Sequence, residues 1–152
     1  MDNCIFCAIV SGDAPASIVY GDDTVTAFMD ISPVNAGHLL VVPRRHMVTL
    51  ADLDEETGAR LFNIATRLSR ALRRSGVRCE GVNLFLADGE AAFQEVFHVH
   101  LHVIPRFAGD AFRIVDEGTS HPSRGDLDAI SAQIHEADQL PRDVPGLNLP
   151  NR

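Results

Sequence analysis

His98, His100 and His102 stand at alternate positions inside an otherwise apolar run, residues 96–105. A strand points every second side chain to the same face. A strand here therefore places three imidazoles in a row, with Phe97, Val99, Leu101 and Val103 packed on the opposite side. Imidazole is the side chain best suited to act as nucleophile, acid or base near neutral pH. A lone histidine is usually a hydrogen-bonded structural residue. Three on one face crowd one another and contribute little to a core, so chemistry explains the row better. Two chemistries suit it. One is a metal triad built like the His-x-His ligand pairs of zinc hydrolases. The other is nucleophilic catalysis, in which one imidazole attacks while its neighbours set its tautomer and receive charge.

A second constellation, Cys4-x-x-Cys7, lies near the start of the sequence. A thioredoxin-like redox pair needs a strand before it, and three residues leave no room for one. Two thiolates joined by two imidazoles would make a tetrahedral zinc site. Cys79 lies near a strand start and reads as a small core residue. Three cysteines, an odd number, do not form a disulfide framework.

These groups must be positioned by regular elements. Short strands are expected at 18–20 and 24–29, around the turn Gly21-Asp22-Asp23, and at 38–42, closed by Pro43. Asp52 followed by Glu55 is an Asp-x-x-Glu helix start. Leu50, Leu53, Thr57, Leu61, Ile64, Leu68 and Leu72 then recur at helical spacing until Gly76 ends the helix. Arg60, Arg67, Arg70 and Arg74 fall off that stripe and read as a solvated face. Residues 82–87 make a fourth strand, with turn chemistry at Asp88-Gly89, and the histidine run is a fifth. This order predicts an α+β fold with a mainly antiparallel sheet of about five strands, one long helix and a short C-terminal helix. That short helix is expected at 126–136 with Leu127, Ile130 and Ile134 inward. Residues 141–152 hold three prolines and read as extended or mobile.

At 152 residues and 45% hydrophobic, the chain suits one compact domain. A net charge of −8 argues against a general nucleic-acid or anionic-membrane surface, although local donors can still hold a small anion. No apolar stretch approaches the ~20 residues that span a bilayer, and the start shows no secretory pattern. The expected location is cytoplasmic.

The chain resembles the histidine triad (HIT) family. His98-Val99-His100-Leu101-His102-Val103-Ile104 matches that family's signature at every position. Three upstream segments match in the same order: Cys4-Ile5-Phe6-Cys7, Phe28-Met29-Asp30-Ile31-Ser32-Pro33, and the stretch from Gly37-His38 through Pro43 to His46. The resemblance implies a HIT-like fold, with residues 1–110 as the HIT domain and 111–152 as a C-terminal extension of it. It further implies a hydrolase acting on the α-phosphate of nucleoside 5′-phosphate derivatives, such as adenosine phosphoramidates or diadenosine polyphosphates. By that analogy His100 attacks phosphorus, His102 donates to the phosphate, and His98 completes the catalytic row. Water then releases an AMP-like product. Asp30 corresponds to the residue that binds the ribose hydroxyls. Phe6, Ile9, Phe28 and Ile31 correspond to the base slot, and Asn83 and Gln94 to polar residues near the phosphate. A nucleotide-binding regulatory module with little catalysis is the alternative.

The match is imperfect at one place. Much of the family carries Gly-Gln-Ser or Gly-Gln-Thr before the triad, whereas this chain reads Phe93-Gln94-Glu95. An acid at position 95 would repel an anionic leaving phosphate and suit a leaving amine; the equal alternative is that Glu95 simply turns to solvent. The third triad position is histidine, which argues against the galactose-1-phosphate uridylyltransferase branch. Some bacterial members hold a structural zinc, which by analogy would use Cys4, Cys7, His46 and His98. No organic cofactor is expected. The resemblance also implies a homodimer and a purine nucleotide substrate. His38 is expected to face the same cleft without being catalytic, and His121 and His135 to lie on the surface.

Overall fold

Alternation along five strands sorts the apolar residues of this chain onto two faces of one sheet. The structure, a computed structural model, describes residues 4–113, 115, 118 and 120–138. A short helix, α1 (Ile5–Ser11), precedes the strands β1 (Ile18–Gly21), β2 (Val25–Met29) and β3 (Leu39–Pro43). The long helix α2 (Glu55–Leu72) follows, then β4 (Gly81–Phe85), β5 (Leu101–Arg106) and α3 (Arg124–Asp138). The sheet order is β1-β2-β3-β5-β4 and every pairing is antiparallel. This is the α+β architecture that the hydrophobic pattern predicts.

Val25 and Ala27 of β2, Leu39 and Val41 of β3, and Leu101 and Val103 of β5 form one core with Leu61, Ile64, Ala65, Leu68 and Leu72 of α2. Each such large side chain contributes about 1.5–3 kcal/mol when removed from water. The intervening residues point the other way. Phe28, Leu40 and Val42 meet Phe6 of α1 in a second, smaller cluster. One face of the sheet is therefore sealed by α2, and the other is left partly open for the functional groups.

Local details differ from the sequence expectation. Helix α2 begins at Glu55 because Asp54, not Asp52, caps it, accepting from the Thr57 N–H at 2.8 Å. Asp52 instead closes a 3-10 turn, accepting from the Thr49 N–H at 2.9 Å. The helix ends at Leu72, and Gly76 lies in the turn beyond it. Arg60, although its side chain is 40% exposed, is also an anchor. Its guanidinium meets the Asp22 carboxylate at 2.6 and 2.8 Å and the Tyr20 hydroxyl at 2.7 Å, tying α2 to the β1–β2 turn. Helix α1 was not visible in the sequence.

The described residues up to Phe112 form one compact unit, and those from Arg113 onward form a second. In the second unit Leu127, Ile130 and Ile134 of α3 are exposed rather than inward. The expectation for residues 141–152 falls outside the described residues. Among the described residues, no helix is long and apolar enough to cross a membrane.

Candidate active site

The histidine run is only partly a strand. The ladder of β5 begins at Leu101, so His98 and His100 lie ahead of it. Their segment is held differently: the His98 N–H turns back to the Val96 carbonyl at 2.8 Å, and the Val99 N–H bonds the Met47 carbonyl at 2.7 Å. His102 alone stands within the ladder, opposite Leu40 of β3 and Phe85 of β4. Val99, Leu101 and Val103 join the core as expected, while Phe97 is exposed. The result is two functional clusters sharing one segment, not a single row.

The first cluster gathers Cys4, Cys7, His46 and His98, whose ligating atoms all lie within 4.8 Å of one another. The His98 Nδ1 is 3.4 Å from the Cys4 Sγ and 3.6 Å from the Cys7 Sγ, and the His46 Nδ1 is 3.2 Å from the Cys7 Sγ. Zinc bonds of about 2.3 Å to sulfur and about 2.0 Å to nitrogen, at a tetrahedral angle, separate the two ligand atoms by about 3.5 Å. The observed spacings match that edge. The His98 Nε2 lies 2.9 Å from the Pro43 carbonyl. A carbonyl only accepts, so this nitrogen carries the proton and Nδ1 turns its lone pair to the thiols. The four residues could hold a metal ion, and both the donor set and the closed arrangement suit zinc in a structural role.

The second cluster lines a cleft of about 540 Å³, within the usual range of ~300–1,000 Å³ for small-molecule sites. The His100 Nδ1 lies 2.7 Å from the His98 carbonyl. By the same logic Nδ1 is the donor, and Nε2 is left as a bare lone pair. The Val34 N–H donates to the His38 Nδ1 at 3.2 Å. The His38 Nε2 must then carry the proton, which it gives to the His102 Nδ1 at 2.9 Å. His102 is thereby left with an N–H at Nε2. One backbone amide thus sets two tautomers in series, and the His102 ring lies 4.9 Å from that of His100. A backbone carbonyl and a backbone amide together leave one imidazole with a free lone pair at Nε2 and its neighbour with an N–H there.

Gly37 allows His38 to reach this place. Its φ is +93°, and a Cβ there would sit 2.9 Å from the Val77 side chain. Asp30, at the end of β2, holds the Ser32 N–H at 2.8 Å and has its Oδ2 3.5 Å from the His38 Nδ1.

Phe6, Ile9, Phe28, Asp30, Ile31, His38, Glu95, His100 and His102 all border the cleft. Phe6 packs edge-on against Phe28 at 5.5 Å and His100 at 5.2 Å. Two residues expected beside the phosphate, Asn83 and Gln94, are not among those lining the cleft. The Asn83 carbonyl oxygen accepts from Arg106, which also clasps the Asp110 carboxylate at 2.6 and 2.7 Å. Gln94 is only 4% exposed. It accepts from the Gly89 N–H at 2.8 Å and donates to the carbonyls of Val48 at 2.8 Å and Val96 at 3.2 Å. Its amide is fully occupied in bracing the loop before the triad. Gln94→Ala should therefore destabilise the protein by about 2–3 kcal/mol, since a buried N–H and two carbonyls lose their partner. A denaturant titration against wild type checks this. Phe85, Phe93 and Phe112 also border the cleft, and no spacing in the sequence marks them.

Burial pushes His102 down to about 4, helped by the nearby His100 and His38. Burial likewise lowers His38, partly opposed by Asp30. Both folded-state values lie below the ordinary histidine value of about 6.5. The folded state therefore favours their neutral forms, and the associated stability is present above about pH 6.5. It is lost as the pH falls from there through about 4. The melting temperature should drop steadily over that window, and less steeply in His102→Asn.

The fold and site together define a nucleotide-sized apolar cleft floored by paired histidines, beside a Cys2His2 cluster. The chain belongs to the histidine triad family: the family's HIT domain matches residues 11–109. A HIT family protein from Bacillus subtilis has a crystal structure that superposes with a TM-score of 0.82 at 38% identity, covering 93% of this chain and 100% of that one. A zinc-bound histidine triad family protein from Mycobacterium smegmatis aligns with a TM-score of 0.71 at 44% identity, covering 89% of this chain and 97% of that one. The adenylylsulfatase HINT3 of Arabidopsis thaliana is 30% identical over 128 residues, 84% of this chain and 64% of that protein.

Proposed function

We propose that the protein hydrolyses nucleoside 5′-phosphate derivatives at the α-phosphate, through a covalent nucleotidyl-His100 intermediate. The observation that carries this reading is the bare Nε2 of His100, fixed by the His98 carbonyl at the floor of the cleft. Its lone pair forms a bond to phosphorus, and the bond to the leaving group breaks with its electron pair going to that group. The Nε2–H of His102 donates to a phosphate oxygen and offsets the charge that gathers there. Water then attacks phosphorus, the P–N bond returns its electrons to His100, and a nucleoside monophosphate departs.

Phe6, Ile9, Phe28 and Ile31 enclose the base, and Asp30 accepts from the ribose hydroxyls. A purine fits this slot, and a relative that carries the name adenylylsulfatase supports an adenylyl substrate. Cys4, Cys7, His46 and His98 hold a structural zinc that fixes the segment carrying the His98 carbonyl. The HIT domain at 1–110 carries this chemistry, with 111–152 as its extension, in a cytoplasmic homodimer that uses neither nucleic acid nor membrane. A catalytic zinc on all three triad histidines is the weaker reading. It would require His98 to leave the thiols or the Pro43 carbonyl, and His102 to lose the Nε2 proton that the bond from His38 fixes.

The test is turnover of an adenosine phosphoramidate and of diadenosine polyphosphates, side by side. Release of AMP from either is the expected result. Tight nucleotide binding without turnover of either would overturn the reading in favour of a binding module.

A further inference from the structure

The His38 Nδ1 sits between two partners that would impose opposite tautomers. The Val34 N–H donates to it at 3.2 Å, and the Asp30 Oδ2 lies 3.5 Å away. If the amide wins, His38 carries its proton on Nε2 and His102 keeps its own N–H at Nε2. If the carboxylate wins, Nδ1–H turns to Asp30 in a charge-assisted bond, the stronger of the two kinds. The His38 Nε2 then accepts from the His102 Nδ1–H, and the His102 Nε2 becomes a bare lone pair. A phosphate oxygen would meet repulsion there instead of a donor. The pair thus has two settings, and the Val34 amide must be held in place to keep the first.

The groups that hold it are not part of the cleft lining. Asn35 follows Val34, and its carbonyl accepts from the His38 N–H at 3.0 Å, closing the turn that presents the amide. The Asn35 Nδ2 donates to the Pro105 carbonyl at 2.9 Å and to the Asp110 carboxylate at 2.9 Å. Pro105 belongs to β5, the strand that carries His102. The first of these bonds therefore ties the His38 turn to the strand of its partner. Asp110 is 4% exposed and accepts from the Arg106 Nε and Nη2, while the Arg106 Nη1 reaches Asn83 of β4. A buried carboxylate gripped through both oxygens by a guanidinium is a fixed acceptor for Asn35. Asn35, Arg106 and Asp110 do not border the cleft, so their influence on the site passes through the turn.

Resting on the hydrolase reading above, we infer that Asn35, anchored by Asp110 and Arg106, is a positioning residue that keeps the His38–His102 pair in the setting where His102 donates to the phosphate. It acts through three successive contacts. Asn35 fixes the turn, the Val34 amide fixes His38, and His38 fixes His102. Without the Asn35 side chain the turn loses its tie to β5, and Asp30 wins the His38 Nδ1. The proton of each ring then moves from Nε2 to Nδ1. The pair holds two protons in either setting, so the change is one of position and not of charge.

The experiment labels the full chain with nitrogen-15 and reads the His38 and His102 rings by two-bond proton–nitrogen correlation. The spectra are taken without substrate at about pH 8, above the ordinary histidine value. Wild type should show both rings as Nε2–H tautomers; Nδ1–H rings there would overturn the inference at once. Asn35→Ala should move both rings mainly to Nδ1–H. It should also lower kcat on an adenosine phosphoramidate by about 10²-fold, the scale of one lost transition-state donor, with KM changed far less. Asp110→Asn, which keeps the shape but removes the charge, should move the rings the same way. Arg60→Ala removes a guanidinium–carboxylate pair at the β1–β2 turn instead. It should lower the melting temperature without moving either tautomer or kcat, which separates positioning from loss of stability. Unchanged tautomers in both Asn35→Ala and Asp110→Asn overturn the inference even if activity falls, and so does a shift that leaves kcat at the wild-type level. A wild type that turns over no nucleotide derivative removes the hydrolase reading, while the hold of Asn35 on the two rings is still decided by the spectra.

Discussion

His100→Ala is expected to lower kcat/KM by about 10⁴-fold or more, with the melting temperature changed little. The magnitude follows from what is removed. The His98 carbonyl holds Nδ1 at 2.7 Å, so Nε2 is the only nitrogen of that ring able to attack. The His102 Nε2 carries its proton because His38 donates to its Nδ1, so His102 cannot take over as the nucleophile. Nucleotide binding should survive, since the base slot and Asp30 are untouched. Steady-state kinetics with an adenosine phosphoramidate, alongside equilibrium binding of AMP, checks both halves. A variant that kept a tenth of wild-type activity would show that His100 does not attack.

The second large effect is expected from Cys4→Ser or Cys7→Ser. Either change should abolish stoichiometric zinc, read by elemental analysis of the purified protein. It should also lower the melting temperature by about 10 °C or more, because metal binding free energy is folding free energy. The effect should reach catalysis. His98 offers Nδ1 to the thiol cluster while its carbonyl fixes the tautomer of His100. Loss of the metal frees that ring and loosens the carbonyl, so kcat should fall although neither cysteine lines the cleft. Unchanged zinc in Cys4→Ser would remove Cys4 from the ligand set.

Residue type at fixed spacing was the part of the site most legible in sequence. Alternate histidines stand out without a partner in view, whereas Cys4-x-x-Cys7 alone is a weak signal whose partners His46 and His98 come only from the family resemblance. The strand assigned across the whole histidine run was too long for a physical reason. The β3 register supplies partners only for Leu101 to Val103, and the hydrogen bond from Val99 to Met47 cannot be read from alternation. Helix α1 was hidden because it has seven residues and no side chain caps its start. Arg60 looked solvated because its partner, Asp22, is 38 residues away.

The same limit applies within the site. His38 was expected to face the cleft, but its place between Val34 and His102 exists only in the folded chain. Gln94 carries the type of side chain that contacts phosphate, yet its amide is occupied by three backbone groups. Phe93 appeared only as a departure from Gly-Gln-Ser. The left-handed backbone that makes glycine natural there, and phenylalanine costly, had to be observed.

The central claim is attack by His100 rather than by water, and stereochemistry at phosphorus tests it most directly. A substrate made chiral at the α-phosphorus with isotopic oxygen and sulfur would be hydrolysed, and the configuration of the product determined. Two successive in-line displacements, first by His100 and then by water, give net retention, which is the outcome expected here. Net inversion would mean a single displacement by water and would contradict the nucleotidyl-histidine account.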